Sequence, residues 1–314
     1  VIFLPIADRE LRVTARKRST FWARVAGASF ALVVGAGFFT FALIIGGFGG
    51  ATMGRNLFAV LTWLCLAAAL SAGLFFTADC LSEEKREGTL GFLFLTSLHS
   101  HDVVIGKLMA AGVRGFYVLL AVLPILGVTL LMGGVTGIGF FKTSLALINA
   151  LVASLVSGLF ISAISRDSHK ALGGTLALLA FWVAAGPVID AVFGNITWAG
   201  SSPALSLSSP AYLFVAAGAW GPALFWKSLL VNQLILWTLI GLSCLVLPRI
   251  WQDKPAATTI RQRRLGMDKH RAALRLKLID VNPVTWLASL DRWPGIALWA
   301  VALIMGGSVV VTFI

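Results

Sequence analysis

TSLALINALVASLVSGLFISAIS, residues 143–165, runs 23 positions without one charged side chain. An α-helix rises about 1.5 Å per residue, so about 20 residues cross about 30 Å of hydrocarbon. The windows 25–54, 56–78, 115–141, 171–189, 228–248 and 293–314 are likewise charge-free or nearly so. None alternates polar with apolar as a barrel strand does, so the segments read as helices.

The whole chain agrees with that stretch. Of 314 residues, 58% are hydrophobic and only 12% charged, with a mean hydropathy of +0.91. A soluble domain carries about 25% charged residues, and this composition cannot coat a water-facing surface. The fold class is therefore all-α, a polytopic helical membrane protein. The division is an interfacial helix over 1–20, a six-span unit over 21–250, a basic segment over 251–292, and a seventh apolar span over 293–314. The chain begins at Val1 without Met and stops inside an apolar run, which reads as a fragment or a trimmed chain.

The net charge of +12 follows topology and is not a nucleic-acid signal. Arg9, Arg12, Arg16, Lys17, Arg18 and Arg24 precede the first span. Lys85, Arg86 and Lys107 lie between spans two and three. Arg166 and Lys170 lie between four and five, and ten more Lys and Arg follow span six. The alternate loops hold one each: Arg55, Lys142 and Lys227. The positive-inside rule then places the N-terminus in the cytosol of a cell (inner) membrane protein, with membrane lipid as a partner of the basic tail. Cys65, Cys80 and Cys244 are scattered and set no disulfide or metal spacing.

Between the spans, Gly46–Gly50 reads as an outer turn and Ser165–Lys170 as a loop short enough to force a helical hairpin. The third apolar stretch, 103–132, exceeds the bilayer and starts in the cytosol, entering lipid near Arg114. Gly106, Ala110, Ala111, Gly112 and Gly115 would let another helix approach. The segment 191–226 is apolar and broken by Pro203, Pro210 and Pro222, which suits a re-entrant or interfacial helix pair.

Chemistry-bearing residues are sparse. Gly134–Thr143 lacks the Lys that directly follows the second Gly of a P-loop. His99 and His101 flank Ser100, and on a helix that spacing diverges. Within the spans, Arg114 and Asp190 are the ionisable candidates for bundle or pathway roles, each near enough to an interface to snorkel or hydrate. Asn149 is the neutral candidate for a bundle or pathway role, and with Asn232 and Gln233 it suits bonds between helices. No paired carboxylates mark a membrane-embedded enzyme.

The densest charge falls in the loop 79–107, with Glu83-Glu84-Lys85-Arg86-Glu87 followed by Gly88. Gly88 suits the end of a helix that extends span two. Thr89 can cap a short helix carrying Leu90, Phe92, Leu93 and Leu95, and Ser100 can cap the third long helix with Asp102 in its first turn. The residues alone leave two readings open: a solvated connector, or a charged helix between two stalks on which a moving soluble partner pushes.

The stretch Glu84-Lys-Arg-Glu-Gly88-Thr89-Leu90 through Thr96 to Gly106-Lys107 resembles the loop between spans two and three in the permeases of ATP-binding-cassette transporters of the type-2 exporter class. That family's pattern is a Glu, Gly-Thr-Leu, a Leu-rich turn, Thr-Pro and a Gly-Lys entering span three. Positions 84, 88, 89, 90, 96, 106 and 107 match. Ser97 stands in place of the Pro, and His99-Ser-His101 where basic residues are common. Pro5-Ile6 and Arg9-Glu10-Leu11 resemble the family's N-terminal elbow helix.

The resemblance implies a permease subunit with no nucleotide site, cofactor or catalytic residue of its own, ATP and Mg being held by a separate ABC ATP-binding subunit. It implies a second permease copy or paralogue as a further partner. Glu84, Glu87, Gly88, Thr89, Leu90, Leu93 and Thr96 are then the contact with the ATPase. The rival readings are a non-transporting membrane scaffold and an ion-coupled secondary transporter.

Overall fold

The computed structural model describes residues 12, 18–45, 50–88, 99–192, 205–219 and 222–250. The interfacial helix except Arg12 and residues 18–20, the glycines of the 46–49 turn, the basic segment 251–292 and the seventh span lie outside the described residues, as do Thr89, Leu90, Leu93 and Thr96. Among the described residues there are helices and no strands. In chain order they are α1 (Arg18–Ile45), α2 (Gly50–Phe76), α3 (Cys80–Arg86), α4 (Ser100–Leu131), α5 (Gly137–Ile164) and α6 (Ser168–Val192). A 3-10 turn (Ser206–Ser208), α7 (Pro210–Ala219) and α8 (Pro222–Ile250) follow.

Five helical stretches are long and apolar enough to cross a membrane: Ala51–Arg86, which joins α2 to α3, then Ser100–Leu131, Gly137–Ile164, Ser168–Asp190 and Ala223–Pro248. That is the number of crossings length and composition support among the described residues. α1 is 28 residues long, but its apolar run there is Val25–Gly37.

The stretch that opened the sequence reading is the axis of the bundle. α5 packs against α2, α3, α4, α6, α7 and α8, and 72% of its apolar window is buried, against 17% for α8. The difference explains its composition. A helix walled by other helices needs small side chains, and α5 presents Ala146, Ala150, Ala153, Ser154, Ser157, Gly158 and Ala163, all buried. α8 turns Leu230, Leu234, Trp237 and Leu245 outward, as a lipid-facing helix would.

α5 approaches α2 most closely where both lack bulk. A Cβ built on Gly73 would lie 2.0 Å from the Ser154 carbonyl oxygen, and one on Gly158 would lie 2.3 Å from Thr77 Oγ1. Neither distance is compatible with a side chain. Of the small residues on α4, Gly106, Ala110, Ala111 and Gly115 are buried, whereas a Cβ on Gly112 would meet nothing within 4 Å.

At the end of the bundle away from α3, the 3-10 turn and the ten-residue α7 sit among α5, α6 and α8. Ten residues are too few to cross a bilayer. Leu213, Phe214, Ala216 and Ala217 of α7 are buried. Between Val192 and Pro222 the described residues hold this one short helix and one turn; the rest of the segment expected to form a re-entrant or interfacial helix pair, 193–204 and 220–221, lies outside them.

Candidate functional site

The α2–α3 rod breaks at Thr77-Ala78-Asp79. The amides of Thr77 and Ala78 both donate to the Gly73 carbonyl, at 3.1 and 2.9 Å. A restarted helix exposes new unsatisfied amides. Here the side chain that accepts them comes from α5: Ser162 Oγ receives Leu81 N at 2.9 Å and Ser82 N at 3.0 Å. Asp79 accepts from Ser82 Oγ and takes a two-pronged ion pair from Arg86, both distances 3.0 Å.

The favour is returned. Lys85 on α3 carries its ammonium to the last carbonyls of α5, at Ser162 (3.4 Å), Ala163 and Ser165 (3.4 Å). A cation at a helix C-terminus satisfies orphan carbonyls and meets the negative end of the helix dipole. Each helix therefore caps the other. Farther along the rod, Thr77 Oγ1 lies 2.8 Å from the Leu155 carbonyl. Ser154 Oγ accepts from Gly73 N and donates to the Leu70 carbonyl, both at 2.6 Å. Five hydroxyl and amide contacts, besides those of the Lys85 ammonium, thus lace the α2–α3 rod to α5.

Glu84 ties the same short helix to α4. Its Oε1 lies 2.6 Å from Lys107 Nζ, and the side chains are only 19% and 14% exposed. Glu84 and Lys107 are the two ends of the loop pattern read from the sequence, and the structure brings them together. Glu84 faces the bundle; Glu83, Arg86, Glu87 and Gly88 are exposed. Gly88 has φ +70°, the left-handed geometry that ends a helix and that side chains resist. α3 thus ends where Gly88 was expected to end it.

Two local expectations change. The N-cap of α4 is His99, not Ser100. Asp102 Oδ2 accepts from His99 N at 3.0 Å, which completes the cap one residue earlier. Because His99 is extended (φ −90°, ψ 157°) and not helical, its ring does not diverge from that of His101. The two stack at 5.3 Å between centroids. Among the described residues, no three His, Cys, Asp or Glu side chains group to hold a metal ion.

Of the ionisable candidates within the long helices, Asp190 is bonded to protein. It is 2% exposed, and its carboxylate accepts from Ser206 N at 2.7 Å, Ser206 Oγ at 2.5 Å and Leu205 N at 3.2 Å. Asp190 is the anchor of the 3-10 turn. The same turn is held by Trp182 Nε1 donating to Ser208 O at 2.7 Å, and by Ser228 and Asn232 donating to Leu207 O at 2.9 and 3.1 Å. Non-helical backbone inside a bilayer has to be satisfied by protein, and here protein meets the Leu205 and Ser206 amides and the Leu207 and Ser208 carbonyls. Gln233 Nε2 donates to Asn149 Oδ1 at 3.0 Å, a bond between α8 and α5. Arg114 places its guanidinium 5.7 Å from the Phe76 ring centroid.

At the α5–α6 turn, Asp167 pairs with Lys170 at 2.6 Å. That hydrogen bond holds the Asp167 carboxyl below its ordinary range. Cys65, Cys80 and Cys244 are free thiols.

Sequence reasoning missed Lys85, Ser154 and Ser162. The one available signal was the serine recurrence at 154, 157 and 162 inside an otherwise apolar run. The fold defines a helical bundle with the long apolar helices a multi-pass membrane protein requires. No family model matches the chain, and no curated protein matches it.

Proposed function

We propose that the chain is the transmembrane permease subunit of an ATP-driven exporter of the ATP-binding-cassette type-2 class. In this reading six crossings, α1 included, form the permease unit, and the N-terminus and α3 lie on the cytosolic side of a cell membrane. A separate ATPase subunit holds ATP and Mg, docks on the loop between α3 and α4, and drives a pathway formed with a second permease copy or paralogue. Glu87, Gly88, Thr89, Leu90, Leu93 and Thr96 form the docking contact. Glu84 acts from behind it through Lys107.

The observation that carries the reading is the fixation of α3. A seven-residue charged helix is capped by α5 and tied to α4, while its Glu87-Gly88 end stays exposed. A solvated connector has no need of such bracing. A helix that receives a push and delivers it to the bundle does.

The ion-coupled reading needs a carboxylate that binds and releases an ion at membrane depth. Asp190 is engaged by three donors instead. The scaffold reading differs in predicting no dependence of ATP turnover on the permease.

The test is co-purification with the candidate ATPase, followed by ATP turnover in proteoliposomes. Gly88→Val should abolish both complex formation and permease-stimulated turnover, because φ +70° is closed to a β-branched residue. An unaltered complex with unaltered turnover sinks the proposal.

A further inference from the structure

A cavity of about 160 Å³ opens between α2 and α4, with α5 behind it. Cys65, Ala68 and Ala72 form one wall and Val118 and Val122 the other, with Leu151 at the back. Gly115 gives Leu151 its place, since a Cβ there would fall 2.8 Å from Leu151 Cδ1. Ser71 is the one hydroxyl in the lining, and its Oγ is spent on the Ala68 carbonyl at 2.9 Å. Water needs several polar partners to stay, and apolar cavities of about 150 Å³ remain dry and take up apolar molecules. The cavity is therefore a site for hydrocarbon.

Its shape fits a chain. From Phe76 to Cys65 the wall follows α2 for eleven residues, about 16 Å at a helix's rise. Ala68 and Phe75 are exposed along it, so in a bilayer the cleft opens sideways onto lipid.

One end of the cleft is charged. Phe76 lines it, and the Arg114 guanidinium lies over that ring. Arg114 is one turn from Val118 and on the same face of α4. Its polar contacts among the described residues are the Phe76 face and a 3.4 Å approach to the Ala110 carbonyl. Neither neutralises it. A guanidinium on a helix long enough to cross a membrane, met by no carboxylate among the described residues, suits an anion, and its fork suits phosphate.

We infer that this cleft holds one anionic phospholipid, with an acyl chain between α2 and α4 and the phosphate on Arg114. The site needs the membrane placement of α2 and α4 but no part of the ATP-driven reading, so either can fail alone.

The full chain, purified from nanodiscs containing equal parts phosphatidylglycerol and phosphatidylcholine, is released for native mass spectrometry of retained lipid. Phosphatidylglycerol should be retained over phosphatidylcholine by about tenfold, because both lipids carry the phosphate but choline neutralises it in phosphatidylcholine and leaves no net charge for the guanidinium. Arg114→Gln should bring the preference close to one, and Arg114→Lys should keep part of it. Ala68→Trp, at an exposed position, should reduce retention of both lipids. Glycerol phosphate, the headgroup without chains, should displace nothing. Circular dichroism identifies the variants that keep wild-type helicity. Equal retention of the two lipids by the wild type overturns the inference. So does an unchanged preference in Arg114→Gln, unchanged retention in Ala68→Trp, or displacement by glycerol phosphate.

Discussion

Asp190 and Glu84 are both carboxylates in an apolar chain, and their surroundings give them different work. Asp190 is enclosed, and all its recorded partners are donors from the two residues Leu205 and Ser206. A carboxylate accepts only, so three donors match it without a counter-charge. Asp190→Asn offers one accepting oxygen and turns an amide NH₂ toward the remaining donors. A buried donor left unmet costs about 1–3 kcal/mol. The expected outcome is a local loss of about that size, with hydrogen exchange at the Leu205 and Ser206 amides accelerated and the cores of α5 and α8 unchanged. Wild-type exchange at those two amides would remove Asp190 as the anchor.

At the scale of elements, the ion pair between Glu84 on α3 and Lys107 on α4 sets the spacing of those two helices. Both side chains are mostly buried, so screening is weaker than at a surface and each partner depends on the other. Glu84→Lys and Lys107→Glu should each lower the unfolding midpoint in detergent, at a cost of about 3 kcal/mol for a buried charge facing its like. The double swap restores opposite charges and should recover most of the loss. Additive losses would show that the two residues act separately. The elements themselves were legible in the sequence because a membrane forces uniformity: a span is one uncharged run with no gaps. Gly88 was legible too, since a left-handed residue just past a helix end favours glycine. The bracing was not. Lys85 and Ser162 are 77 positions apart, and which residue of one helix lies level with which residue of another is set by packing that no local pattern records. His99 was missed for a nearer reason: Ser is the better cap on its own, but Asp102 bonds the amide of His99 three residues earlier.

Over the whole molecule, the proposed mechanism assigns receiving a push and transmitting it to different residues. Docking in the proposed mechanism uses the exposed Glu87 and Gly88 together with Thr89, Leu90, Leu93 and Thr96. Transmission uses the mutual caps of α3 and α5, and α5 reaches every other described helix but α1 as a packing partner. A variant that loosens the caps should therefore keep the partner and lose the response, which Gly88→Val cannot do. Lys85→Met keeps the apolar stem that crosses to α5 while removing the ammonium from the Ser162, Ala163 and Ser165 carbonyls. Ser162→Ala removes the acceptor of Leu81 N and Ser82 N. Each should cost about 1–2 kcal/mol of local stability at α3, a small part of what a buried bundle holds, so the chain stays folded. Co-purification of the ATPase should be unchanged in the double variant, while permease-stimulated ATP turnover falls about tenfold or more, as two lost caps of about 1 kcal/mol each would allow. If turnover keeps its wild-type stimulation, the caps brace the fold and carry no signal. If the ATPase is lost along with it, the outer surface depends on the caps, and docking and transmission are a single property of α3.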